Sequence, residues 1–90
     1  MIKKEDALKL KSGQTIYYLG LNYIVHDCKI ANTRTIESGE VEVEFDDGCF
    51  ELFSVDGKPY MFLTKKEALE AAEYELEGMI EMIKTNLTNL

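Results

Sequence analysis

The chain is short of the residues that most catalytic and metal sites require. Among its 90 residues are one histidine and two cysteines. His26, Cys28 and Cys49 are therefore its only soft ligands, fewer than the four closely paired Cys/His ligands of a structural zinc site. No metal and no other cofactor is expected. A single proline, with 46% hydrophobic residues, argues against disorder. No uninterrupted apolar run is longer than that from Ile16 to Leu19, which is far too short to cross a bilayer. Lys3 and Lys4 are followed by no apolar h-region, so no signal peptide is expected. Two cysteines outside a secretory context read as reduced thiols, which places the protein in the cytoplasm.

Residues 37–56 contain no Lys or Arg but eight acids: Glu37, Glu40, Glu42, Glu44, Asp46, Asp47, Glu51 and Asp56. The formal net charge of the chain is −7. Nucleic-acid binding draws on cationic contacts to phosphate, and anionic membranes select for the same charge, so both partners are disfavoured.

What is present describes one α+β domain spanning residues 1–90. Residues 4–11 read as a short helix, with Glu5 and Asp6 in the first turn, Lys9 and Lys11 in the last, and Gly13 as a stop. Residues 14–63 read as a small antiparallel five-stranded barrel or meander. Its second strand is long and bends near Ala31 and Asn32. Asp47-Gly48 and Asp56-Gly57 both have the sequence of two-residue hairpin turns. The first turn would set Phe45 opposite Phe50 and Glu44 opposite Glu51. Val41, Val43, Phe45, Phe50 and Leu52 would then share one face. Glu42, Glu44, Asp46, Cys49, Glu51 and Phe53 would share the other. The second turn would set Phe53 opposite Tyr60, completing an outward aromatic trio of Phe53, Tyr60 and Phe62. One extra residue at either turn would exchange the faces.

Thr64 and Glu67 form a capping box opening a long amphipathic helix over 65–87. Leu69, Leu76, Ile83 and Leu90 recur every seven residues. Such a helix is about 33 Å long at 1.5 Å per residue. A barrel of this size is only about 25 Å across. The overhanging stripe predicts a homo-oligomer through Leu69, Leu76, Met79, Ile80 and Ile83.

Catalysis finds little support. Asp27 is adjacent to His26 and Cys28, but strand neighbours point to opposite faces. His26 and Cys28 read as core residues beside Ile24 and Ile30, and buried thiols are inert. No glycine lies in a phosphate-loop pattern. Tyr17, Tyr18, Tyr23, Phe45 and Phe50 have the composition of an aromatic cage but read more simply as core.

The segments KKEDALKLKSGQTIYYL, VEVEFDDGCFELF and DGKPYMFLTKKEALEAA, covering about residues 3–72, resemble the small SH3-like barrel proteins of phage and prophage genomes. The resemblance implies an SH3-like barrel that acts by binding, for instance by blocking a host enzyme or defence system from within the host cytoplasm. The short turn at Gly20 departs from the long first loop of SH3 domains and speaks against proline-peptide recognition. The expected function is that of a non-catalytic, oligomeric inhibitor or adaptor. Its acids Glu42, Glu44, Asp46 and Glu51 would meet a basic partner, with Phe53, Tyr60 and Phe62 as anchors. The competing expectation is a small-molecule or nucleotide-signal binder, with a subunit-interface pocket using Lys3, Lys4, Lys29 or Arg34.

Overall fold

A computed structural model describes residues 1–90. The chain runs through α1 (Lys4–Ala7), β1 (Thr15–Leu19), a 3₁₀ turn (Leu21–Tyr23), β2 (Val25–Thr35), β3 (Val41–Phe45), β4 (Phe50–Phe53), β5 (Met61–Phe62) and α2 (Lys65–Thr88). The strands form one antiparallel sheet in the order β4-β3-β2-β1-β5, curled into a half-barrel. The expected α+β class and its two helices are therefore present.

The first helix is shorter than the expected 4–11. Asp6 caps it by accepting from the Lys3 N–H at 3.1 Å. Ala7 and Leu10 then both enter the barrel core. Gly13 donates to the Ile30 carbonyl at 2.7 Å, drawing the chain off the helical path into β1. One turn of helix has too little propagation to resist that pull.

β2 carries the expected bend, as a register shift between Ile30 and Asn32. Two apolar clusters lie on opposite faces of β1. Ile16 points inward with Ile2, Ile30, Val41, Val43, Phe45, Phe53 and Met61. Leu19 points outward with Phe62, Ala68 and Ala72, so α2 covers this outer face. The Thr64 hydroxyl accepts from the Glu67 N–H at 3.2 Å and donates to its carboxylate at 3.0 Å, which starts α2 where the sequence places it.

Both hairpin readings need correction. The β3–β4 loop has three residues, Asp46, Asp47 and Gly48, closed by Phe45 N–H to the Cys49 carbonyl at 2.9 Å. Gly48 alone takes a positive φ, +87°, and forms a bulge. The pairing becomes Val41 with Phe53, Val43 with Glu51 and Glu44 with Phe50, one residue from the expected register. Every β4 side chain changes face. Phe53 becomes fully buried, while Phe50 is 55% exposed on the outer face beside Glu42 and Glu44. Nor does β5 pair with β4. Ile2 bridges Lys58 at this point, and β5 pairs instead with β1, Tyr17 to Phe62 and Tyr18 to Met61.

Beyond Ala72 no residue of α2 is buried. The helix extends past the barrel, and the molecule measures 54 × 24 × 19 Å.

Candidate functional site

The curl of the sheet leaves one end of the barrel open. There β1, β2, the β3–β4 loop and β5 converge on a cavity of about 380 Å³. Tyr18, Cys28, Phe45 and Met61 line it together with Asp27, Asp46, Asp47 and Glu51, and Lys29 is its one base. Each position follows from local structure. Tyr18 and Cys28 extend the inward rows of β1 and β2 beyond the last closed core layer. The three-residue loop turns Asp46 and Asp47 towards the same end.

The rim is short of countercharge. The four ion pairs of the protein are Arg34–Glu42 at 2.8 Å, Lys58–Glu51 at 3.1 Å, Lys66–Glu70 at 3.9 Å and Lys84–Glu81 at 3.8 Å. Asp27, Asp46 and Asp47 take part in none of them. Asp47 accepts from the Cys49 N–H at 2.9 Å, which fixes its carboxylate over the loop. The two thiols report the resulting field. Burial pushes the Cys28 thiol up, with further upward pressure from Asp47, Asp27 and Glu51. A hydrogen bond to Asp47, with the charge of that carboxylate, pushes the Cys49 thiol up. Both sulfurs are held as thiols at neutral pH, so thiolate chemistry is disfavoured at each.

The structure divides the residues singled out from the sequence. Asp46 and Glu51 lie at the mouth. Glu42 and Glu44 lie on the outer sheet face with Phe50, around a shallower cavity of about 240 Å³, and Glu42 is tied to Arg34. Phe53 is in the barrel core and Phe62 is under α2, so neither is an exposed anchor. Tyr60 alone of the trio is open. It lines a cleft of about 390 Å³ with the 3₁₀ turn, Glu75 and Met79. Asn22 and Tyr23 on that turn both take a positive φ. His26 is exposed, not core, and stacks on Tyr18 with ring centroids 6.0 Å apart. Of the five possible cage aromatics, only Tyr18 and Phe45 share the mouth. Within one protomer the four candidate anion-holding cations lie apart, with Lys3 and Lys4 beside Val55, Lys29 at the mouth and Arg34 on the outer face. Leu69, Leu76, Met79, Ile80 and Ile83 are all 40% or more exposed along α2, and the Met79 sulfur meets the Tyr23 hydroxyl.

Asp27, Asp47 and the aromatic floor were missed as a group because they gather only when β2 and the loop after β3 close over one end. The DDG triplet was the available signal, since a three-residue loop projects both aspartates from the sheet end. No group of His, Cys, Asp and Glu in the structure is arranged to hold a metal ion, and no helix is long and apolar enough to cross a membrane. Comparison with protein-family models, curated proteins and solved structures found no match to the chain.

Proposed function

We propose that the chain is a non-catalytic, self-associating binding protein whose barrel mouth receives a basic side chain from a protein partner. One observation carries this reading: an apolar floor of Tyr18, Phe45 and Met61 lies inside a rim of carboxylates, three of which have no ion-pair partner. A lysine or arginine suits that combination, because its methylene stem lies along apolar surface while its cation meets the acids. Opposite charge at the rim also speeds encounter with a basic surface. In the setting implied by the phage-type resemblance, the partner is a host protein met in the host cytoplasm, and the chain acts as its inhibitor or adaptor. Of the acids expected to work, Asp46 and Glu51 keep that role in this proposal, joined by Asp27 and Asp47.

The test is an amide chemical-shift titration with Nα-acetyl-arginine amide, acetyl-lysine amide and short basic peptides, run beside a nucleotide panel. Shifts confined to Asp27–Lys29, Phe45–Cys49 and Met61, weakened by salt and lost in the Asp46→Lys/Asp47→Lys variant, are the expected result. Shifts elsewhere, or a response to nucleotides and none to basic ligands, would overturn the proposal.

A further inference from the structure

The open flank of α2 reads Leu69, Glu73, Leu76, Ile80, Ile83 and Leu87, at alternating steps of four and three residues, and Leu90 continues the spacing past the helix end. That is the spacing of a helix–helix seam. Ala68 and Ala72 are spent on the barrel and Met79 on Tyr23, so the seam lies to one side of them. Ile80, Ile83 and Leu87 are 49%, 56% and 63% exposed. One polar residue interrupts the stripe, Glu73, and its position selects the geometry.

We propose that a second copy of the chain covers this stripe, with its α2 antiparallel to the first. Leu76 packs against Leu87 of the partner subunit, and Ile80 against Ile83 of the partner subunit. This rests on the self-association half of the proposed function and gives it a register.

Two alternatives bury Glu73, and a third, the antiparallel pair shifted one heptad the other way with Ile83 on Leu87 of the partner subunit, sets Lys84 beside its own copy and leaves Leu76 uncovered. In a parallel, in-register pair every residue meets its own copy, which sets Glu73 against Glu73 of the partner subunit in a seam that excludes water. An antiparallel pair shifted by one heptad, with Ile80 on Leu76 of the partner subunit, places Glu73 against Ile83 of the partner subunit. The proposed register moves Glu73 to the end of the seam, opposite Leu90 of the partner subunit, which lies past the last helical residue Thr88. Four consecutive layers are then wholly apolar.

Charge agrees. Lys84, the one base in the second half of α2, falls beside Glu77 of the partner subunit, and the two-fold makes that pair twice. In the parallel pair it would fall beside Met79 of the partner subunit. Space agrees too. The barrel sits about residue 70 of each helix, and the register sets the two residues 70 about 34 Å apart along the axis at 1.5 Å per residue. Barrel contacts along α2 end at Met79, and Met79 of the partner subunit falls level with Lys84, so the barrels lie end to end without collision. Their negative charges are kept apart as well. Four layers make a small interface, and a dissociation constant on the order of micromolar is expected.

Sedimentation of the full chain from about 1 to 500 μM and cysteine cross-linking test this. In a Cys28→Ala/Cys49→Ala background, chains carrying Leu76→Cys mixed with chains carrying Leu87→Cys should cross-link on mild oxidation. Leu76→Cys alone should not, its two copies being about 16 Å apart along the seam. Lys84→Glu should weaken the dimer several-fold, and Glu77→Lys added to it should restore the dimer. Self-cross-linking of Leu76→Cys, or no rescue by the charge swap, would overturn the register while leaving self-association standing. A monomer at every concentration would overturn both, leaving the mouth to its own titration.

Discussion

Phe53 and Phe50 separate the observed hairpin register from the one-residue alternative. Phe53 is completely buried among Val41, Ile2 and the rest of the barrel core, so Phe53→Ala removes a full aromatic side chain and leaves a cavity. Such truncations cost about 3–5 kcal/mol. A 90-residue domain has a total stability of about 5–15 kcal/mol, so the variant should lose a large share of it. At roughly 4–8 °C per kcal/mol, its melting midpoint should fall by about 12 °C or more. Phe50 retains more than half of its surface in solvent and touches the outer face, so Phe50→Ala should cost about 1 kcal/mol or less. Urea unfolding followed by far-UV circular dichroism, at one protein concentration for both variants, measures the contrast. Equal losses, or a larger loss at Phe50, would refute the three-residue loop and restore the register in which Phe53 faces outward.

Three further outcomes follow from the loops and thiols. Gly13 and Gly57 both take a positive φ, +85° and +79°, but a Cβ at Gly57 would also meet the Ile2 carbonyl oxygen at 3.1 Å, whereas nothing lies within 4 Å at Gly13. Gly13→Ala should cost only the left-handed backbone penalty of about 1–2 kcal/mol. Gly57→Ala should cost more by displacing the Ile2 segment, and equal midpoints in urea would contradict that contact. Asp47→Asn should lower both thiol pKa values, Cys49 more because the Asp47 hydrogen bond is its leading cause, and iodoacetamide alkylation at pH 8 should quicken most at Cys49. Unchanged rates at both sulfurs would remove the field assigned to the mouth. Because the folded pKa of Cys28 is raised, its protonated form contributes stability fully present below the ordinary thiol value of about 8.5 and lost as pH rises through the folded value. Wild type should therefore lose stability above that range faster than Cys28→Ala, and parallel urea curves across alkaline pH would refute this.

Local signals in the chain were legible. The Thr64–Glu67 cap started α2 one residue later, and its periodicity carried it to Thr88. Gly13, Gly39, Gly48 and Gly57 all occupy left-handed turn positions. The long second strand bends where Ala31 and Asn32 interrupt its apolar pattern. The acidic row was legible as composition, though its division between mouth and outer face was not.

The rest depended on pairings that no local pattern specifies. The letters DDG serve a two-residue or a three-residue loop equally well, and the choice decides which way all of β4 faces. FELF is ambiguous in the same sense, since Phe50 and Leu52 argue for one face and Phe53 for the other. Only packing in three dimensions resolves it, because Phe53 fills a barrel already bounded by Ile2, Ile16 and Met61. Those residues come from opposite ends of the barrel sequence. The insertion of Ile2 beside Lys58 likewise separated β5 from β4 and delivered it to β1. Sequence by itself determined the kind and order of the elements, the cap of α2 and the places where the chain turns, because these answer to neighbours within a few residues. Tertiary structure decided register, face and the convergence of Tyr18, Asp27, Phe45 and Asp47 at one mouth, because those answer to contacts across the whole chain.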